Sequence, residues 1–214
     1  KGSLANAFDE VCKYYSAEGQ AAPFERQALI KLRHIAGDAA LGKKVETHRD
    51  SFVYSGAPWD LTVALDLRQQ QVKQLVEPGQ INLKHSHGGI VTLEYAIQYL
   101  QVMHGHRHPS LRTPNTLRAL AALIDVGLIP RATGENLRKS YLFIRMLIDG
   151  LRMVRGNTKD LVIPPPDSDE FIFLARRVGY QTEDWQAGAR HLQTDIEEHM
   201  KQNRQFFEKM FGKV

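Results

Sequence analysis

The 214-residue chain has a single cysteine, Cys12, no apolar stretch near the roughly 20 residues that span a bilayer, and no block of lysines and arginines. One thiol forms no internal disulfide and no cysteine-rich metal site. A reducing compartment, most simply the cytoplasm, is therefore expected. The missing apolar run excludes a membrane-spanning helix. Charge is mild and mixed: 28 Lys+Arg against 24 Asp+Glu give +4, interspersed along the chain. A nucleic-acid binder concentrates its basic residues beside base-stacking aromatics, so nucleic acid is not an expected partner. The opening residues Lys1-Gly2-Ser3-Leu4 read as neither a signal peptide nor a transit peptide. The chain starts Lys1-Gly2-Ser3-Leu4, without Met and inside a helical pattern, which reads as a piece of a longer protein. Strand-type alternation, fixed-period repeats and low-complexity tracts are absent. So are Gly-x-Ser-x-Gly, a P-loop and a dinucleotide fingerprint, and no catalytic residue is assigned.

What remains is helical periodicity almost throughout. Ser3 reads as an N-cap before Leu4, Phe8, Val11 and Tyr15. Pro23 opens a second helix carrying Phe24, Ala28, Leu32 and Ile35, stopped at Gly37. Asp38 caps a third with Leu41, Val45, His48 and Phe52, and a fourth runs from about Asp60 to Val76. After Pro78-Gly79 a short, extended-type segment, Ile81 to His87, leads to Gly88-Gly89. A fifth helix then runs to about His104, apolar nearly all round and so central. Thr113-Pro114 starts the sixth; Gly127 fits the left-handed residue after its end, with Leu128 against Leu123. The seventh spans about Thr133 to Val154. The Pro164-Pro165-Pro166 run reads as a stiff extended linker. Ser168 caps an eighth helix, and the last starts near Thr182. The expectation is an all-α bundle of eight to nine helices: residues 1–160 as the bundle, 161–167 as linker, 168–214 as a two-helix extension packed on it.

The segment Asn82 to Tyr95 carries the densest candidate chemistry. Two glycines before a helix let the backbone approach a ligand, and the first helical amides, unpaired and partly positive, are expected to receive an anion, with Lys84 adding charge. The same pattern also suits a tight turn packed against a neighbouring helix. Glu94, Gln98 and Gln101 share one face of the central helix; they line a cleft or are paired internally. Arg138, Arg145 and Arg152 recur every seven residues, with Asp149 four after Arg145. They form either a phosphate- or carboxylate-facing stripe or a solvated face. Five histidines lie between His85 and His108, but Arg107 among them opposes a cation, and no metal site is assigned.

The ordered series of motifs resembles a known family. Phe24-Glu25-Arg26-Gln27-Ala28-Leu29, Arg33 and Ala36-Gly37-Asp38 resemble the stretch after the nucleotidyltransferase core of glutamine synthetase adenylyltransferases. Lys84, Gly88-Gly89-Ile90 and Leu93-Glu94-Tyr95 are similar to their D-(I/L)-K-x-G-x-G-G-(I/L/V)-x-D-(I/V)-E-F signature. His108-Pro109-Ser110-Leu111-Arg112, Asn115-Thr116-Leu117, Leu137-Arg138, Arg145, Leu151-Arg152 and Leu174-Ala175-Arg176-Arg177 continue the likeness, in order, from about residue 24 to 180. Uridylyltransferases of the signalling protein PII share this helical domain type.

The resemblance implies a helical domain beside a nucleotidyltransferase domain whose Gly-Ser turn and Asp-x-Asp metal site are missing here. In such a parent, ATP and Mg²⁺ serve AMP transfer to a tyrosine of glutamine synthetase, or phosphate removes it, in control of nitrogen assimilation. The domain would form a wall of the nucleotide cleft and a docking surface. It implies Lys84, Gly88, Gly89, Glu94, Gln98, Arg138, Arg145 and Arg152 as nucleotide- or partner-binding residues. Glutamine synthetase, PII and the parent's own transferase domain are the implied partners. A non-catalytic module binding PII or glutamine synthetase, and a PII uridylyltransferase relative, are the alternatives. The chain departs from the signature at Asn82 and Thr92, where acids are usual, at Ser86, where Gly is usual, and at His87, where Pro is common.

Overall fold

The computed structural model describes residues 5–59, 61–157 and 160–212. Ser3, Leu4 and Asp60, read above as the starts of helices, lie outside them. Among the described residues the fold is all-α. Its helices are α1 (Phe8–Tyr14), α2 (Glu25–Leu29), α3 (Ala39–Val53), α4 (Leu61–Leu75), α5 (Ile90–His104), α6 (Thr116–Asp125), α7 (Arg131–Arg155), α8 (Asp169–Arg177) and α9 (Trp185–Phe211), with a 3₁₀ turn at Pro109–Leu111. Among the described residues extended pairing is confined to one bridge, Asn82 with Val162.

Side-chain caps set several boundaries. Asp38 accepts from the Leu41 amide at 2.7 Å and Ser168 from the Phe171 amide at 3.2 Å, as the sequence predicts. Two starts differ from expectation. α6 begins after Asn115, whose Oδ1 accepts from the Arg118 amide at 3.0 Å, and not at Thr113-Pro114. α9 is capped by Asp184, which accepts from the Gln186 amide at 2.9 Å, and not near Thr182. A carboxylate or amide oxygen reaches these amides; the Thr182 hydroxyl is instead engaged with the Asp184 carbonyl. Gly127, at φ 76°, ends α6, and the Leu128 amide donates back to the Leu123 carbonyl at 3.0 Å.

The largest departure is α2. The sequence period predicts a helix to Ile35, yet α2 stops at Leu29 and Ile35 is 82% exposed. Polar groups of α3 capture the backbone that would have continued it. Glu46 accepts from the His34 amide at 2.9 Å, and the Arg49 guanidinium donates to the Leu32 carbonyl. With side chains satisfying these groups, the chain has no need of the next helical turn.

The chain divides into two compact units, Lys1–Ala64 with Ile97–Pro130, and Leu65–Ala96 with Arg131–Val214. In the first, Ile30, Val53, Tyr54, Trp59 and Val102 form the core, and Arg26 closes the end of α3 by donating to the Val53 and Ala57 carbonyls at 3.0 and 2.9 Å. In the second, α7, α8 and α9 pack on one another around Ile144, Leu147, Leu151, Phe171, Leu174, Leu192 and Ile196. Leu83, Ile90 and Val91 join the same core. The proline run lies inside this unit. The segment before it is pinned by the Ile163 amide to the Ile81 carbonyl at 2.7 Å and by the Leu83 amide to the Leu161 carbonyl at 2.9 Å.

Candidate functional site

Residues 82–92 form a closed turn whose polar groups face inward. Asn82 Oδ1 accepts from the Lys84 and His85 amides, each at 3.0 Å, and the Ser86 hydroxyl accepts from the Asn82 amide at 2.8 Å. The amides at the mouth of α5 are also taken. Gly88 donates to Thr92 Oγ1 at 3.1 Å, Gly89 to the Ser86 carbonyl at 2.9 Å, Ile90 to the Leu83 carbonyl at 3.0 Å, and Val91 to the Lys84 carbonyl at 3.2 Å. An anion arriving here would find these N–H groups engaged, so the phosphate cradle expected of a glycine pair before a helix is absent from these amides.

The glycines have a packing reason instead. Gly88 sits at φ 88°, and a Cβ there would lie 2.1 Å from the Met200 carbonyl oxygen of α9; one at Gly89 would lie 2.8 Å from the Leu83 carbonyl oxygen. Asn203 of α9, fully buried, donates its Nδ2 to the Gly88 carbonyl at 2.9 Å.

The turn is held from its other side by Arg68 of α4, only 2% exposed. Its Nη2 donates to the His85 carbonyl at 2.8 Å, the Ser86 carbonyl at 3.4 Å and Thr92 Oγ1 at 3.2 Å; Nη1 donates to Gln71 Oε1 at 3.3 Å. Carbonyl dipoles, not a carboxylate, surround this cation, and burial pushes its pKa below the ordinary arginine value. Thr92 Oγ1 thus accepts from both the Gly88 amide and the guanidinium, without neutralising the charge. His85, beside this cation, is pushed down to about 4, mainly by burial and then by Lys84 and Arg68.

The remaining expected site residues scatter in role. Lys84 is exposed. Glu94, half-buried, accepts from the Tyr141 hydroxyl at 3.3 Å. Gln98 belongs to the first unit, where its Oε1 accepts from Gln27 Nε2 at 2.8 Å; Gln101 donates to the Leu111 and Thr113 carbonyls at 2.6 and 2.8 Å. The two glutamines are internal ties. Asp149 pairs with Arg152 at 3.3 Å, not with Arg145. Arg138 and Arg145 are exposed. Between them lie Leu142 and Met146, also exposed, and Met153 follows at 63% exposure. α8 adds Phe173, 57% exposed, and Arg177, whose Nη2 lies 3.0 Å from Met153 Sδ. Over a helix of 25 residues, about 37 Å long, this is a face both basic and apolar. Among the described residues no three His, Cys, Asp or Glu side chains converge as metal ligands, and no helix is long and apolar enough to cross a membrane.

Sequence reasoning missed Arg68 and Asn203. Each leaves a trace: Arg68 follows Ala64 by four on the inward side of α4, and Asn203 falls among Ile196, Met200 and Phe207 of α9. A polar side chain on an inward stripe needs a specific partner.

A family model described as GlnD PII-uridylyltransferase matches residues 62–211. The bifunctional glutamine synthetase adenylyltransferase/adenylyl-removing enzyme of Mycobacterium tuberculosis (strain ATCC 25618 / H37Rv) is 34% identical over 179 residues, 82% of this chain and 18% of that relative. The proteins of the same name from Hahella chejuensis and Corynebacterium glutamicum are similar too. The first is 35% identical over 151 residues, 68% of the chain and 15% of the relative. The second is 29% identical over 198 residues, 91% of the chain and 19% of the relative. The chain thus spans less than a fifth of the length of these three relatives.

Two outcomes test the turn. Gly88→Ala forces a methyl into the Met200 carbonyl and a left-handed backbone; it is expected to cost about 3 kcal/mol or more in urea denaturation. Gly79→Ala, at φ 79° but with open space around it, should cost only about 1 kcal/mol. Stability should also fall with acid. His85, His87 and His199 have folded-state pKa values below the ordinary 6.5, largely through burial, so the unfolded chain binds protons first. The contribution of His85, whose folded-state value is pushed down to about 4, is complete above about pH 6.5 and is lost as pH drops toward about 4. The urea midpoint should decline across that window, less so in His85→Gln; a flat midpoint contradicts the partial burial of the His85 ring.

Proposed function

The chain belongs to the GlnD PII-uridylyltransferase family, and from that premise we propose that it works as the helical domain of a glutamine synthetase adenylyltransferase/adenylyl-removing protein, docking glutamine synthetase on the exposed face of α7. The observation that carries this reading is the pairing of exposed Arg138 and Arg145 with exposed Leu142 and Met146 on one face. Arginine and methionine are enriched where proteins meet, and a lone solvated helix has little use for large apolar side chains there. The names of the relatives supply the partner.

In this reading the whole protein transfers AMP in the control of nitrogen assimilation, in the cytoplasm. ATP and Mg²⁺ belong to its nucleotidyltransferase domain. The turn offers a phosphate no free amides, because those of Gly88, Gly89, Ile90 and Val91 are engaged, and among the described residues no three His, Cys, Asp or Glu side chains converge as metal ligands. The turn then serves as a joint that fixes the start of α5, with Lys84 and Glu94 at its margin. That favours a docking role over a wall of the nucleotide cleft. A module that binds PII by the same face is the second reading, resting on the same closed turn and on the family's PII-directed description.

The test is binding of the chain to glutamine synthetase, followed by light scattering or interferometry. Arg138→Glu with Arg145→Glu should weaken it by about tenfold or more while leaving the thermal midpoint in place, because both side chains are solvent-facing. Arg152→Glu should do less, since Arg152 is already paired. Unchanged affinity in the double variant contradicts the proposal; loss of PII binding in its place selects the second reading. Titration with ATP and Mg²⁺ should leave the amide resonances of Gly88, Gly89 and Glu94 unmoved, whereas localised shifts would return the turn to nucleotide binding.

A further inference from the structure

A groove of about 580 Å³ runs along α9 in the second unit, against the loop Glu77–Ile81 and the extended segment that ends in the proline run. Its apolar lining includes Ile81, Val162, Ile163, Phe171 and Ile196. Its charged lining is four carboxylates, Glu77, Asp160, Glu170 and Glu197, against one cation, Arg155. That cation is already spent on two of them, Asp160 at 2.9 Å and Glu170 at 2.5 Å. The hydrogen bonds that Glu77 and Glu197 accept come from neutral amides: Gln80 at 3.2 Å and Gln193 at 3.1 Å. An adjoining cavity of about 600 Å³ shares Glu77, Gln80, Ile81 and Glu197, and its own cations, Lys73 and Arg204, do not line the first.

We infer that this groove docks an extended, basic peptide segment, with an aliphatic side chain among Ile81, Ile163 and Ile196 and a flanking lysine or arginine at Glu77 and Glu197. Three features carry the inference. The volume falls in the range of pockets that enclose a small ligand or a few side chains, roughly 300–1,000 Å³. The wall is preformed: the 161–163 backbone is tied to Ile81 and Leu83 by two backbone hydrogen bonds, and the prolines after it have fixed φ, so binding orders little. The unneutralised charge is of one sign, so a cationic occupant gains where an anionic one is repelled. The groove shares none of Arg138, Leu142, Arg145 or Met146, and the inference stands apart from the docking proposed for α7.

The probe is a fluorescein-labelled pentapeptide, Lys-Leu-Lys-Leu-Lys, titrated with the chain at low salt. Glu-Leu-Glu-Leu-Glu and Lys-Ser-Lys-Ser-Lys serve as controls. The chain as a whole carries +4, so long-range attraction favours the acidic peptide, and preference for the basic one has to arise locally. The expected result is saturable binding of the basic apolar peptide, about tenfold or more tighter than either control. Glu77→Lys with Glu197→Lys, both at exposed positions, should weaken it by about tenfold or more at an unchanged thermal midpoint, and Ile81→Ser should weaken it as well. No saturable binding, any other order among the three peptides, or undiminished binding to the double variant overturns the inference.

Discussion

The second unit depends on a cation placed where water does not reach. The Arg68 guanidinium is ringed by the His85 and Ser86 carbonyls and the Thr92 hydroxyl. An isolated buried charge is costly, and oriented peptide dipoles are what offset it here. Removing them would expose the cost, so the turn has one way to fold. Its carbonyls point at Arg68, its amides point at its own acceptors, and its glycines are left to meet α9. Asn203 and the Met200 carbonyl complete the contact from that side. The start of α5 is thereby fixed to both α4 and α9 through a segment of eleven residues, 82–92. The same closure leaves the amides of Gly88, Gly89, Ile90 and Val91 engaged within the protein.

With the turn closed, chemistry on the second unit moves to its surface, where two faces of opposite character remain. The exposed side of α7 combines arginines with leucine and methionine. The groove along α9 combines isoleucines with four carboxylates, of which Arg155 pairs with only Asp160 and Glu170. A net charge of only +4 conceals this separation, because the two faces nearly cancel in a sum. Specificity between partners of opposite charge follows from such an arrangement without any change in the core.

Much of the fold is legible in the sequence. Asp38 and Ser168 cap helices as their side-chain chemistry requires, and Gly127 turns left-handed at the end of α6 as only glycine does readily. The all-α class follows from periodicity alone. What was not legible has a common cause: a side chain far along the sequence competes for a local group. α2 stops short because Glu46 and Arg49 take its backbone, and no pattern within 25–35 announces that. The glycine pair reads either as an anion site or as a tight packed turn, and the sequence does not show that Thr92 and the Ser86 carbonyl occupy its amides. Gln98 and Gln101 read equally as cleft residues or as internal ties, and Gln27 and the Leu111 carbonyl beside them select the second. The hydrogen-bond partners of these residues were therefore not legible in the sequence. For Arg68 and Asn203, a polar residue on an otherwise inward stripe was the available signal.

The account stands most directly on whether the amides of Gly88, Gly89, Ile90 and Val91 are locked. Native-state hydrogen exchange of the chain, resolved residue by residue, measures this. The account predicts that these four amides exchange as slowly as those of Leu147 and Leu151 in the core of α7, opening only when the second unit unfolds. Exchange of all four at the rate of an open loop, with α7 still protected, would contradict it.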